Sequence, residues 1–262
     1  MPSNPPSQRV TALKRLLSGL LLVCLHAHAD SEPALRFSVS ESWSMPLMQI
    51  EGHQPTTGIL FDIMNSLARQ VGRTARFHVL PRLRVQTALA QGEVDIRCYT
   101  SPAWLSSLSG DYFWSLPILT QRDVLLASPE TAGPYPDQFD NEIVGTVLGY
   151  TYPELQHLFD NHNLLREDAR NEEQVLRKLV AGRYNYAVGN QLAMDWVNRD
   201  LPARRRLKIV SVISEQPAGC MIRNDPALPA QRILRTLLRM QMSGEIQQIV
   251  DRYTALPADE VP

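Results

Sequence analysis

Cysteine is scarce in this chain, with three in 262 residues. Cys24 lies near the N-terminus, and Cys98 and Cys220 stand far apart, so no C-x-x-C spacing for a metal site occurs. Long apolar runs are also missing. Beyond the N-terminal segment every apolar stretch meets a charge within about ten residues, whereas a membrane-spanning helix needs roughly 20. Excess basic charge is lacking. The chain has 26 basic and 27 acidic residues. Residues 1–29 hold three of the basic ones and no acidic one, so the remainder has a net charge of −4. A mildly acidic chain without a basic stripe is a poor nucleic-acid binder. The local run Arg204-Arg205-Arg206 reads as a solvated turn after Leu201-Pro202. Gly-x-Ser-x-Gly, His-Glu-x-x-His and phosphate-loop motifs do not occur. The six histidines are scattered without ligand spacing. No cofactor, no metal and no enzymatic activity are expected.

The first segment has a recognisable order. Arg9, Lys14 and Arg15 precede the apolar run Leu16 to Leu25, and Ala27-His28-Ala29 follows. A basic region, a short apolar region and a small-x-small site make a secretory signal peptide, here residues 1–29, cut after Ala29. A lipoprotein signal at Cys24 is the rival reading, but Val23 stands where such signals place a small residue. The expected product is a soluble periplasmic protein of about 230 residues, a size common for two lobes. An oxidising compartment favours pairing of its two cysteines.

The rest alternates between strand and helix patterns. Leu35-Arg36-Phe37-Ser38-Val39-Ser40 has the period of a half-buried strand. A turn-rich stretch with Pro46, Gly52, Pro55 and Gly58 leads to a helix over 59–71, where Leu60, Ile63, Met64, Leu67, Ala68 and Val71 share a face and Gly72 stops it. Strand 75–80, a short helix carrying Val85, Ala88 and Leu89, and strand 94–99 complete a β-α-β-α-β unit, which predicts a parallel sheet flanked by helices. A second block repeats the theme. It has strand 123–127, a loop with Pro129, Gly133, Pro134 and Pro136, strand 143–147, helix 152–159, helix 172–180, strand 186–189, helix 191–197, strands 207–212 and 218–223, and helix 229–242. Two such blocks suggest two lobes with a cleft between the carboxyl ends of their strands, where ligands bind in open sheets.

Several short motifs, in order, resemble the bacterial extracellular solute-binding protein family 3, which includes periplasmic receptors for polar amino acids. They are Leu35-Arg36-Phe37-Ser38-Val39, Gly58-x-x-Phe61-Asp62-Ile63, Ala88-Leu89-Ala90-Gln91-Gly92-Glu93-Val94-Asp95, Val144-Gly145-x-x-x-Gly149, Leu179-x-x-Gly182-Arg183-x-x-Tyr186-Ala187, and Met242-Ser243-Gly244-Glu245 with Tyr253. The resemblance spans roughly 35–254. It implies the two-lobed α/β fold of type II periplasmic binding proteins, each lobe a mostly parallel sheet flanked by helices, with two crossing strands as a hinge near 125–128 and 216–221. Lobe 1 is expected to comprise 30–126 plus 218–262, and lobe 2 residues 127–217. In that fold the returning strand lies beside the third strand of lobe 1, which implies a Cys98–Cys220 disulfide; two buried free thiols are the alternative.

The resemblance also shows departures. Trp104 stands about where the family's receptors keep an arginine for the ligand's α-carboxylate, and neutral Asn190 stands where they keep an aspartate for the ammonium. Arg82 replaces an aromatic wall. The expected ligand-binding set is therefore aromatic and hydroxylic: Trp43, Arg82, Tyr99, Thr100, Ser101, Trp104, Tyr150, Thr151, Tyr152 and Asn190. Flat rings with a few donors suit a planar or partly apolar solute, and an arginine suits an anion. Tyr112, Phe113 and Trp114 read as core. Asp62 and Asp95 read as capping and sheet-end hydrogen-bonding groups rather than an acid–base pair. The leading expectation is a monomeric solute-binding protein that takes a small molecule other than a standard zwitterionic amino acid and serves an ABC permease. A sensory module for a membrane receptor and a cyclohexadienyl-dehydratase-like enzyme are the alternatives.

Overall fold

The computed structural model describes residue 1 and residues 33–105, 111–131 and 138–254; the expected signal peptide, and Gly133, Pro134 and Pro136 of the expected loop, lie outside them. Strand β1 (Leu35–Ser40) opens the fold, and the turn-rich stretch after it contains a small hairpin, β2 (Gln49–Glu51) and β3 (Gln54–Thr57). Helix α1 (Ile59–Val71) follows. Its six apolar positions at spacings of three and four are all 1% exposed or less. Gly72, at φ 83°, closes it in the left-handed conformation that favours glycine. Gly58 precedes it because nothing larger fits: a Cβ there would lie 2.6 Å from the Leu47 carbonyl oxygen.

β4 (Ala75–Leu80), α2 (Val85–Ala90) and β5 (Ile96–Thr100) complete the expected unit. β1 pairs in parallel with both β4 and β5. Short β6 (Tyr112–Trp114) then leads to β7 (Leu119–Ala127). The second block comprises β8 (Glu142–Val147), α3 (Gln156–Asp160), β9 (Leu164–Ala169), α4 (Glu172–Val180), β10 (Tyr186–Asn190) and α5 (Gln191–Arg199). The chain returns through β11 (Lys208–Arg223) and ends in α6 (Ala230–Met242) and α7 (Glu245–Thr254). Strands β6 and β9, the β2–β3 hairpin and helix α7 were not foreseen as elements. Tyr112, Phe113 and Trp114 are half-buried edge residues of β6 rather than full core.

The strand order β4-β1-β5-β11-β7-β10-β8-β9 runs through both lobes. The two strands expected at 207–212 and 218–223 are one 16-residue strand. Its first two thirds pair antiparallel with β7, from Lys208 opposite Ala127 to Ala218 opposite Leu119. Its last residues pair with β5, Cys220 opposite Cys98. Pro217 interrupted the apparent strand pattern, yet the β7 partner accommodates it, with Thr120 opposite. The Cys98–Cys220 disulfide is present, with both residues fully buried. Each lobe has its own apolar centre. α1, β1, β5, α6 and α7 build the first. In the second, alternate residues of β7 face opposite sides, Val124 and Leu126 toward one cluster and Leu125 and Ala127 toward another. That two-sided burial explains the unbroken apolar run Val124-Leu125-Leu126-Ala127.

Candidate functional site

A cavity of about 480 Å³ lies where β7 and β11 join the lobes, within the range of small-molecule sites. Seven of the expected residues line it: Trp43, Arg82, Tyr99, Trp104, Tyr150, Thr151 and Tyr152. Tyr99 belongs to β5, and the other six come from loops at the strand ends. Trp43 follows β1, Arg82 follows β4, Trp104 sits in a 3₁₀ turn after β5, and residues 150–152 follow β8. Trp43 and Tyr99 meet edge-on with ring centres 6.4 Å apart, and Tyr99 and Trp104 at 6.2 Å, the arrangement ring quadrupoles favour.

The other three expected residues are placed differently. Asn190 is buried and internally engaged: its amide donates to the Tyr99 hydroxyl at 2.7 Å, and its side-chain oxygen accepts from the Leu192 N–H and caps α5. It faces a separate chamber of about 10 Å³ with Tyr99, Tyr150, Tyr152, Asp123 and Glu172. Ser101 is buried, and its carbonyl accepts from the Trp104 N–H. Thr100 is fully buried, and its hydroxyl has no partner among the described residues.

The floor of the cavity was missed. Gln121 and Asp123 on β7, with Ser214 and Gln216 on β11, form a polar patch on the crossing strands. They are register partners, Ser214 opposite Asp123 and Gln216 opposite Gln121. Asp123 accepts from Gln121 Nε2 at 2.9 Å and from Ser214 Oγ at 3.2 Å. Polar residues two apart in a strand share one face, but Thr120, Arg122 and Glu215 are polar too and mask that alternation in the sequence. Glu154, beside Pro153, adds a carboxylate at the rim. Glu172 of helix α4 lines the separate small chamber and accepts from the Asn190 backbone N–H. None of these carboxyls belongs to the expected ligand-binding set.

Burial sets the electrostatics. It raises Asp123 above the usual carboxylate range, against the hydrogen bonds from Gln121 and Ser214. It pushes Glu172 up to about 7, opposed by the Asn190 N–H and assisted by the negative charge of Asp123. Tyr99, Tyr150 and Tyr152 are all raised, again by burial first, and stay neutral hydroxyls. On the opposite wall, the Arg82 guanidinium lies 5.0 Å from the centre of the Tyr150 ring, a cation–π contact between the lobes. Ser42 and Tyr150 hydroxyls meet at 3.2 Å, and Ser44 Oγ accepts from the Glu173 N–H at 3.3 Å. Arg166 holds the 150–152 loop by donating to the carbonyls of Tyr150 and Val147. The cleft thus has aromatic walls, with Arg82 at the side, Asp123 on its floor and Glu172 in the small chamber that Tyr99, Tyr150, Tyr152 and Asp123 also line.

No protein-family model matches the sequence, and no curated protein does. Solved structures do. An ancestral arginine-binding protein bound to arginine superposes with a TM-score of 0.67 at 17% identity, over 85% of this chain and 99% of that one. The GluR0 ligand-binding core in complex with L-glutamate gives 0.67 at 17% identity, over 86% and 100%. A histidine kinase sensor domain with similarity to periplasmic binding proteins gives 0.64 at 17% identity, over 87% and 98%. The chain therefore has the two-lobed α/β fold that amino-acid-binding proteins and ligand-sensing domains share.

Proposed function

We propose that the protein is an exported periplasmic solute-binding protein that closes its lobes, roughly 30–126 plus 218–262 and 127–217, on a small molecule other than a standard zwitterionic amino acid. The observation that carries this reading is the cavity of about 480 Å³ walled by side chains of both lobes. Trp43, Tyr99, Trp104, Tyr150 and Tyr152 supply flat contact area, Arg82 a cation, and Gln121, Asp123, Ser214 and Gln216 a polar floor. Asn190 is spent on Tyr99 and a helix cap, so it offers the ligand no ammonium anchor. Among the described residues no helix is long and apolar enough to cross a membrane, in keeping with release of the chain after export.

Thermal unfolding against amino acids, aromatic acids, dicarboxylates and polyamines tests it. A ligand at 100 times its Kd adds about 2.7 kcal/mol, a rise of roughly 5–10 °C for a chain of this size. Aromatic or carboxylic compounds are expected to raise the midpoint where ordinary amino acids do not; a clear rise with an ordinary amino acid rejects the altered ligand class. An ABC permease is the proposed partner. A sensory role is the second reading, favoured by the likeness to a histidine kinase sensor domain; ligand-dependent capture of a sensor ectodomain instead of a permease would decide for it. An ancestral amino-acid-binding precursor of cyclohexadienyl dehydratase also shares the fold, with a TM-score of 0.66, and turnover of a bound ligand would revive an enzymatic role.

A further inference from the structure

A group of hydrogen-bond donors without acceptors lies behind the Arg82 wall. Arg82 and Gln86 are four residues apart across the start of α2, a spacing that puts side chains on one helical face. Gln86 Oε1 accepts from Arg97 Nη1 at 2.8 Å. Arg97 belongs to β5 and is only 6% exposed, yet that neutral amide oxygen is its one polar partner among the described residues. Three more polar atoms of the group are buried and unpaired among the described residues: Arg82 Nε, Gln86 Nε2 and Thr100 Oγ1. Thr100 joins the same side of the strand because β5 bulges. Tyr99 takes φ 55°, and Cys98 pairs with Cys220 while Thr100 pairs with Gly219. One inserted residue shifts the alternation, so Thr100 falls in phase with Arg97.

A buried cation without a counter-ion is strongly unfavourable. Burial, and Arg82 next, lower the Arg97 guanidinium to about 10. Elsewhere on this sheet half-buried arginines meet carboxylates: Arg36 and Arg223 both contact Asp95. Two neighbouring guanidiniums without a carboxylate partner among the described residues, with an unpaired amide N–H and an unpaired hydroxyl, are the complement of a group with two negative oxygens.

We propose that Arg82, Gln86, Arg97 and Thr100 form an anion pocket in the lobe 1 wall and that the solute presents a carboxylate to it. This rests on the cleft reading above and names the chemistry of one end of its ligand. The aromatic walls take the body of the acid, and Arg82, which lines the cavity, is the first donor it meets.

The test compares benzoate, phenylacetate, malonate and glutarate with their carboxamides, benzylamine, putrescine and inorganic phosphate, by thermal unfolding of the purified chain and its Arg97→Met and Arg82→Gln variants. At least one carboxylate is expected to raise the midpoint by about 5 °C, its amide not at all, and both variants to lose that response. Arg82 lies on the cavity wall, so Arg82→Gln keeps the test readable if Arg97→Met fails to fold. Equal shifts with acid and amide, a shift with phosphate alone, or a carboxylate response that survives both variants overturns the assignment. Shifts with amines or neutral rings but no acid overturn it while leaving the cleft standing; no shift with any compound takes both down.

Discussion

Two neighbouring charged groups at the start of strand β5, Asp95 just before it and Arg97 within it, have opposite surroundings. Asp95 is 2% exposed and surrounded by donors: the Arg36 backbone N–H, the Arg36 guanidinium and Arg223 Nη2. Burial alone would raise this carboxyl, but the hydrogen bonds from Arg36 and Arg223 outweigh it and hold it below its ordinary range. Two residues further on, Arg97 meets only an amide, and Glu172 in the second block, bonded by a backbone N–H, is raised instead. The first group closes its charges within the protein. The second leaves a buried cation with no carboxylate beside it among the described residues. Saturated pairs mark architecture, and unsaturated ones mark where something else binds.

The largest effect is expected at the covalent link between β5 and β11. Replacing Cys98 and Cys220 together by serine is expected to cost about 4 kcal/mol, since the bond closes a loop of more than a hundred residues. Denaturant unfolding measures it, and a loss under about 1 kcal/mol would show that strand pairing alone holds β5 to β11. Next comes Asp95→Asn, which strands two arginines and is expected to cost about 3 kcal/mol, a fall of roughly 6–12 °C. The Asp95 carboxyl is lowered in the folded state, so its contribution is present at neutral pH and is lost as pH falls through that depressed value. The variant should accordingly differ least from the parent in strong acid.

Glu172→Gln reverses the sign. A carboxyl raised to about 7 on folding stabilises below its unfolded value and loses that contribution as pH rises through 7. The glutamine variant, which keeps an oxygen for the Asn190 N–H, is expected to match the parent at pH 4 and to exceed it by about 2 kcal/mol at pH 8. Parallel stability curves would mean that Glu172 is well solvated. The smallest effect is expected from Arg97→Met without ligand. Replacing an unpaired buried cation by an apolar chain of similar volume should change stability by no more than about 1 kcal/mol, or raise it. A loss as large as that of Asp95→Asn would place Asp95 and Arg97 in the same class.

Much of this was legible in the chain. Periodicity located α1, α4 and the strands β1, β4, β8 and β10, because each buries one face or both and the pattern repeats over several residues. The family resemblance implied the cysteine pair, and positions after strand ends, which fall at the sheet's carboxyl edge, pointed to the aromatic loop residues. What escaped was short or shared. β6 has three residues and no alternation to detect, and β9, with Leu164-Leu165-Arg166-Glu167-Asp168-Ala169, exposes too many polar side chains to read as a strand. Its pairing with β8 alone explains it.

The sequence by itself determined the α/β class, the core faces and the aromatic character of the cleft, all of which depend on local period and residue type. Only the tertiary structure decided which polar residues meet there. Gln121 and Ser214 reach Asp123 because two strands from distant parts of the chain pair in one register, and Arg97 lies near Arg82 because helix α2 folds back over β5. Register and packing join residues that local pattern cannot relate, and a charge's partner, or the lack of one, exists only after that joining.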